Sequence, residues 1–248
     1  MPKANATTNL EQSSLGAGHY GYSHARVDDL GSSEYTLCTI VCDSSGSVSY
    51  FKPELEACIK EVIKACQHSP RADSLMVRMV QFSDTVQEVH GFKPLNTCNQ
   101  DDYNGVLTLG GQTALFDAAA NAIRATNDYG KKLSQSDFMA NALCVVITDG
   151  DDNASKYSVD EVKKSLQEAV RMEELESMRS ILVAVNVNEP HMANCLRNFN
   201  TEAGFNQYIE LDNANSATLA KLAEFVSKSI NAQSQALGTG GPSQGVSF

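Results

Sequence analysis

The stretch Cys42-Asp43-Ser44-Ser45-Gly46-Ser47 follows the apolar run Tyr35-Thr36-Leu37-Cys38-Thr39-Ile40-Val41 and gathers hard oxygen donors where a buried strand ends. Asp43, Ser45 and Ser47 alternate. One carboxylate and two neutral hydroxyls suit a small, hard divalent cation such as Mg²⁺ and leave positions for water or an external ligand, whereas a soft metal would call for Cys or His. The isolated D-x-S-x-S pattern also fits a helix N-cap and turn, so it does not by itself separate the two readings. Two further segments bring the same chemistry. Leu109-Gly110-Gly111-Gln112-Thr113-Ala114-Leu115-Phe116-Asp117-Ala118 places a Thr hydroxyl after a Gly pair and ahead of an apolar-periodic helix. Asn141-Ala142-Leu143-Cys144-Val145-Val146-Ile147-Thr148-Asp149-Gly150 is a second strand that ends in an Asp followed by Gly.

Asp43-x-Ser45-x-Ser47, Thr113 and Asp149, in that order and spacing, resemble the metal-ion-dependent adhesion site of the von Willebrand factor type A family, which includes integrin I domains. The resemblance spans roughly Tyr35 to Ile230. With Ala114-Leu115-Phe116-Asp117-Ala118 and Thr148-Asp149-Gly150 as local signatures, it is nearest to bacterial stand-alone members. It implies that Ser45, Ser47 and, in one state, Thr113 bind Mg²⁺ directly, with Mn²⁺ or Ca²⁺ as substitutes, while Asp43 and Asp149 act directly or through water. A partner protein's Asp or Glu would then complete the coordination. Two carboxylates only balance the charge of the ion, so a bound metal still attracts an external acid. The helix starting near Pro53 turns a positive dipole end toward it.

The run Asp149-Gly150-Asp151-Asp152-Asn153 holds more acid than one Mg²⁺ requires. Asp151 and Asp152 are either solvated turn charges or ligands of a second cation.

The elements that must position these residues alternate. A strand from Tyr35 leads into a helix with Leu55, Ile59, Val62, Ile63 and Cys66 on one face and Pro53 in its first turn. Leu75–Phe82 reads as a strand and Thr85–His90 as its hairpin partner. Helices over Ala114–Tyr129, Val159–Ser177 and Ala217–Asn231, with strands over Ile181–Val187 and Phe205–Leu211, complete the series. This predicts a doubly wound, mostly parallel α/β sheet with helices on both faces and one antiparallel edge strand, Rossmann-like in layout. In such folds ligands bind at the carboxyl ends of strands, and the order 3-2-1-4-5-6 sets the ends carrying Asp43 and Asp149 side by side. The expected division is an N-terminal extension over 1–30, flexible or loosely docked, a domain over 31–232, and a C-terminal tail over 233–248. The tail is expected to be disordered, or else to dock through Leu237, Val246 and Phe248.

The 248 residues, 42% hydrophobic, suffice for one sizeable core. No stretch approaches a membrane span, and the first thirty residues lack the basic start and apolar core of a secretory signal. Seven cysteines, an odd number without C-x-x-C spacing, read as buried reduced thiols, and a cytoplasmic location is expected. A net charge of −11 argues against general nucleic-acid or membrane binding. His90 and His191 show no recognisable partners and read as surface or packing residues.

The function expected from these features is a non-enzymatic, metal-dependent protein-interaction module, and the family resemblance adds an ATPase, kinase or phosphatase as the kind of partner. A Mg²⁺-dependent phosphatase or phosphotransferase using Asp43 is the rival. It lacks a Lys or Arg in the three loops and has Ser45 where a second acid would stand. A third reading has the metal only fastening loops.

Overall fold

The computed structural model describes residues 10–15, 20–171, 174–240 and 245–248. Its strands are β1 (Leu10–Ser14), β2 (Gly21–Ala25), β3 (Glu34–Asp43), β4 (Leu75–Phe82), β5 (Val86–Pro94), β6 (Met139–Thr148), β7 (Met178–Val185) and β8 (Gln207–Leu211). Its helices are α1 (Lys52–Gln67), α2 (Leu115–Ser134), α3 (Val159–Arg171), α4 (Pro190–Ala203) and α5 (Ser216–Thr239). The eight strands form one sheet in the order β1-β2-β5-β4-β3-β6-β7-β8. β3 pairs in parallel with both β4 and β6, β7 continues in parallel between β6 and β8, and β5 runs antiparallel to β4. The doubly wound α/β architecture expected from the sequence is therefore present.

Strand alternation builds the two faces, because successive side chains on a strand point to opposite sides. Cys38, Ile40 and Cys42 of β3, Leu143, Val145 and Ile147 of β6, and Ile181, Val183 and Val185 of β7 pack with α1 and α5. Val41, Cys144, Val146, Leu182 and Ala184 pack on the other side with α2, α3 and α4. Covered on both faces, the central strands read as unbroken apolar runs, as parallel strands do.

Four parts of the fold differ from the sequence reading. First, the segment expected as a loosely docked extension contributes β1 and β2, so the antiparallel β5 is not the sheet's edge. β2 meets β5 through one residue pair, His24 with Phe92, and Tyr22, Ser23, His24 and Ala25 are buried. Gly91 makes this approach feasible, since a Cβ there would collide with the Ser23 backbone carbonyl. Second, a helix absent from the expected series, α4, carries Pro190 in its first turn and ends at Gly204 in the left-handed region (φ 84°), the asymmetry that marks helix ends. Third, α3 is described over Val159–Arg171, and residues 174–177, expected within it, are not helical. Fourth, the last helix runs past Asn231 to Thr239, and its own Gln233, Ser234 and Leu237 are buried. The end of the tail takes the docked alternative. Gln207 donates to the Val246 carbonyl at 3.1 Å, and the Phe248 ring meets Phe225 edge-on at 5.6 Å.

His90 has partners after all. Its ring contacts the Tyr103 hydroxyl at 2.8 Å and the Gly91 carbonyl at 3.0 Å. All seven cysteines are free thiols, and all but Cys195 are buried.

Candidate metal centre

Asp43 is the last residue of β3, and its side chain is 1% exposed at the carboxyl end of the sheet. One carboxylate oxygen accepts the Ser45 amide at 2.8 Å, which curls the loop back on itself. The other accepts the hydroxyl of Thr148, the last residue of β6, at 2.6 Å. The Ser45 and Ser47 hydroxyls lie 3.1 Å apart, and Ser47 donates to Asp149 Oδ1 at 2.8 Å. The four residues singled out on β3 and β6 and their loops thus stand in one continuous hydrogen-bonded chain.

Thr113 borders the same crevice. Its hydroxyl lies 3.6 Å from where a Cβ on Gly150 would sit, and the loops are laced by Gly110 N–H to the Ser44 carbonyl at 3.0 Å and Gly46 N–H to the Gly111 carbonyl at 3.4 Å. Gly111 has φ 79°, and a Cβ on it would run into the Asp84 carboxylate. That carboxylate accepts the Gln112 amide at 2.7 Å. The Gly pair is therefore required for the loop to bring Thr113 in.

The acidic run after Asp149 has a use that its sequence did not reveal. The N-cap position of α2 is Ala114, which has no side-chain oxygen to offer. Asp152 supplies it from the neighbouring loop, accepting the Phe116 amide at 3.1 Å, while Asn153 accepts the Thr113 amide at 2.7 Å. Orphan donors at a helix start are thereby satisfied by side chains some forty positions away in sequence. Asp151 accepts the amide of Asp152 at 2.8 Å. Thr148, Asp152 and Asn153 are the supporting residues missed from sequence. The only signal was their membership of the cap-forming types beside Asp149.

Electrostatically the crevice is unbalanced. Burial raises the Asp43 carboxyl above its ordinary range, only partly offset by the hydrogen bonds from Thr148 and Ser45. Asp149 is pushed up to about 6, first by burial and then by the facing Asp43 charge, with the Ser47 hydroxyl bond opposing. None of the described ion pairs reaches either carboxylate. Among the described residues no three Cys, His, Asp or Glu side chains group as a metal cluster. The donors that converge here are two carboxylates and three hydroxyls, an oxygen-only set that fits a hard cation. At the rim, Tyr50, on the same short turn as Ser47, is 92% exposed.

A model of the von Willebrand factor type A domain matches residues 39–225. Among solved structures, the PilB minor pilin from Streptococcus sanguinis is similar over 88% of this chain and 66% of its own, at 15% identity and TM-score 0.60. The von Willebrand factor type A structure from Catenulispora acidiphila is similar over 85% of this chain and 44% of its own, at 16% identity and TM-score 0.56. The pilus adhesin SpaC from Lactobacillus rhamnosus GG is similar over 82% of this chain and 31% of its own, at 12% identity and TM-score 0.57. The chain thus spans less than two thirds of each of these proteins, and at such identities the likeness is one of fold. No curated protein matches the sequence. Among the described residues no helix is long and apolar enough to cross a membrane.

Proposed function

The chain belongs to the von Willebrand factor type A domain family, and from that premise we propose that it is a metal-dependent protein-interaction module whose crevice holds Mg²⁺ and captures a partner's carboxylate. The observation that carries this reading is the pair of carboxylates, Asp43 and Asp149, linked through Ser45, whose amide bonds Asp43, and the Ser47 hydroxyl, with none of the described ion pairs reaching either. Two acids forced together in this way are relieved by a proton or by a cation, and the oxygen donors select a hard one.

Ser45, Ser47 and Thr113 would hold the ion through their hydroxyls, with Asp43 and Asp149 as direct or water-mediated ligands. When bound, the ion supplies a positive charge that two carboxylates only neutralise, which leaves attraction for a third. Mn²⁺ or Ca²⁺ would substitute for Mg²⁺. The exposed Ser47, Gly46 and Tyr50 give a protein surface access to the crevice. The module is read as non-enzymatic, because it lacks an acid in the Ser45 position and a Lys or Arg within residues 42–47, 109–118 and 141–150. The partner is a protein offering an Asp or Glu, with an ATPase, kinase or phosphatase as the class that the family resemblance suggests. The free cysteines support a reducing, cytoplasmic setting.

The test is a Mn²⁺ titration followed by electron paramagnetic resonance, with the tagged protein then used for affinity capture in Mg²⁺ or in EDTA. Wild type should take up one Mn²⁺ that Asp43→Ala does not, and captured protein should leave on chelation. Wild-type protein that binds no cation, or a partner indifferent to EDTA, would overturn the proposal.

A further inference from the structure

Resting on that reading, we infer that Asp117 is a positioning residue for the centre and that Tyr20 latches the N-terminal hairpin to it, so that docking of the hairpin tunes cation affinity. Asp117 sits in the first turn of α2, 1% exposed and four residues past Thr113. It is not within the crevice. One of its oxygens accepts two backbone amides of the loop after Asp149, Lys156 at 3.0 Å and Tyr157 at 2.8 Å. The other accepts the Tyr20 hydroxyl at 3.0 Å. Its own amide donates to Ser155 Oγ at 2.9 Å, and that hydroxyl donates to Asp152, the carboxylate that caps α2.

The loop 149–157 is therefore clamped to the start of α2 at three successive places. Asn153 and Ala154 close on the backbone of Thr113, with amide-to-carbonyl distances of 3.0 and 3.2 Å; Asp152 and Ser155 form the second tie, and Asp117 ends the series. Thr113 on one side of the crevice and Asp149 on the other keep their spacing because this clamp fixes the two chain segments that carry them. A ligand set held before the ion arrives loses less freedom on binding.

The hairpin feeds into this clamp by side chains more than by backbone. β2 has a single residue pair with β5. Its other ties include the Ser23 amide and hydroxyl to Glu88, the Tyr22 hydroxyl to Asp128 at 2.6 Å, the Ala25 carbonyl accepting from the Tyr129 hydroxyl at 3.1 Å, the Gly21 carbonyl accepting from the Asn121 amide at 3.4 Å and, just ahead of the strand, Tyr20 to Asp117. Of these only the last reaches the centre; Asp128 lies three turns further along α2. Release of the hairpin at its Tyr20 end would withdraw one of three donors from Asp117.

The test compares Tyr20→Phe with Tyr22→Phe. Each removes one hydroxyl that holds the hairpin, but only the first touches the clamp. Two quantities are read: Mg²⁺ affinity by calorimetry, and amide exchange of residues 149–158 in metal-free protein. Tyr20→Phe should weaken Mg²⁺ binding roughly five- to tenfold and speed exchange in 149–158, while Tyr22→Phe changes neither. Asp117→Asn, which sets an amide N–H against donors, should weaken Mg²⁺ binding further. Equal effects of the two Tyr variants would mean that the hairpin acts only on general stability and would overturn the inference, as would unchanged affinity in Tyr20→Phe. Should wild type bind no Mg²⁺, the metal reading falls and the affinity coupling with it. The exchange comparison then decides on its own whether Tyr20 orders the loop.

Discussion

Replacing Asp149 with Asn should stabilise the metal-free protein and abolish its response to Mg²⁺, two effects of opposite sign from one change. The carboxyl of Asp149 keeps its proton in the folded chain up to about 6, against an ordinary value of 3.8. The unfolded chain therefore gives up this proton first as pH rises. The group adds stability below about pH 4, and that contribution is lost as pH climbs through about 6. At pH 7.5 the ionised carboxylate is a net burden. About 2 pH units at about 1.4 kcal/mol each set its ceiling near 3 kcal/mol, and partial exposure lowers it. An Asn at this position carries no charge and still presents an oxygen to the Ser47 hydroxyl, so the metal-free variant should gain about 1–3 kcal/mol, or roughly 2–10 °C in melting temperature for a chain of this size.

Magnesium reverses the ranking. At a hundredfold excess over its dissociation constant, an ion that binds only the folded state adds about 2.7 kcal/mol to wild type, and it should add nothing to Asp149→Asn. Differential scanning calorimetry at pH 7.5, with EDTA and then with 10 mM Mg²⁺, measures both. A metal-free variant that melts below wild type would show that the buried, ionised Asp149 is not a net burden on the fold. A variant that keeps the full Mg²⁺ gain would show that the ion binds elsewhere.

Three other outcomes are expected. Glu88→Gln leaves the guanidinium of Arg78, 1% exposed and bonded to Glu88 at 2.7 Å, without its charge partner inside the fold, so urea unfolding should report a loss of about 3 kcal/mol; a loss below about 1 would contradict that account. Gly111→Ala must place a Cβ against Asp84 at φ 79° and should cost about 1–2 kcal/mol in the same assay while weakening Mn²⁺ binding; a neutral result would mean that the loop can take another path. Burial, together with the nearby Lys93 charge, holds His90 down to about 3. The unfolded chain then binds a proton first as pH falls, and wild type should lose up to about 2 kcal/mol between pH 7.5 and 5 that His90→Gln does not lose, because stability falls wherever the unfolded state takes up more protons. Parallel profiles for the two proteins would exclude His90 as the source.

The fold and the convergence of oxygen-bearing side chains at one crevice were legible in the sequence for a shared reason. A parallel strand buried on both faces must be apolar throughout, so the abrupt change from Ile40-Val41-Cys42 to Asp43 and from Val146-Ile147 to Thr148-Asp149 marks where the sheet surfaces. Side chains that surface at adjacent strand ends must converge. The hairpin was not legible, because Leu10–Ser14 and Gly21–Ala25 are short, polar and held by side chains whose partners, Glu88, Asp117 and Asp128, lie far along the chain. The helix α4 had its Pro190 and Gly204 signals, yet its apolar positions Ala193, Leu196, Phe199 and Ala203 are sparse enough to pass for a connection. The same limit applies at the centre. Types that can ligate an ion reveal themselves by chemistry, whereas Asp152 and Asn153 cap a helix that lies before them in the chain, and nothing local distinguishes a carboxylate aimed at a distant amide from one aimed at a cation. The excess acid after Asp149 has hydrogen-bonding work of its own. Asp152 is occupied by the start of α2 and Asp151 by its neighbour's amide, which leaves Asp43 and Asp149 as the facing pair of carboxylates whose charge none of the described ion pairs meets.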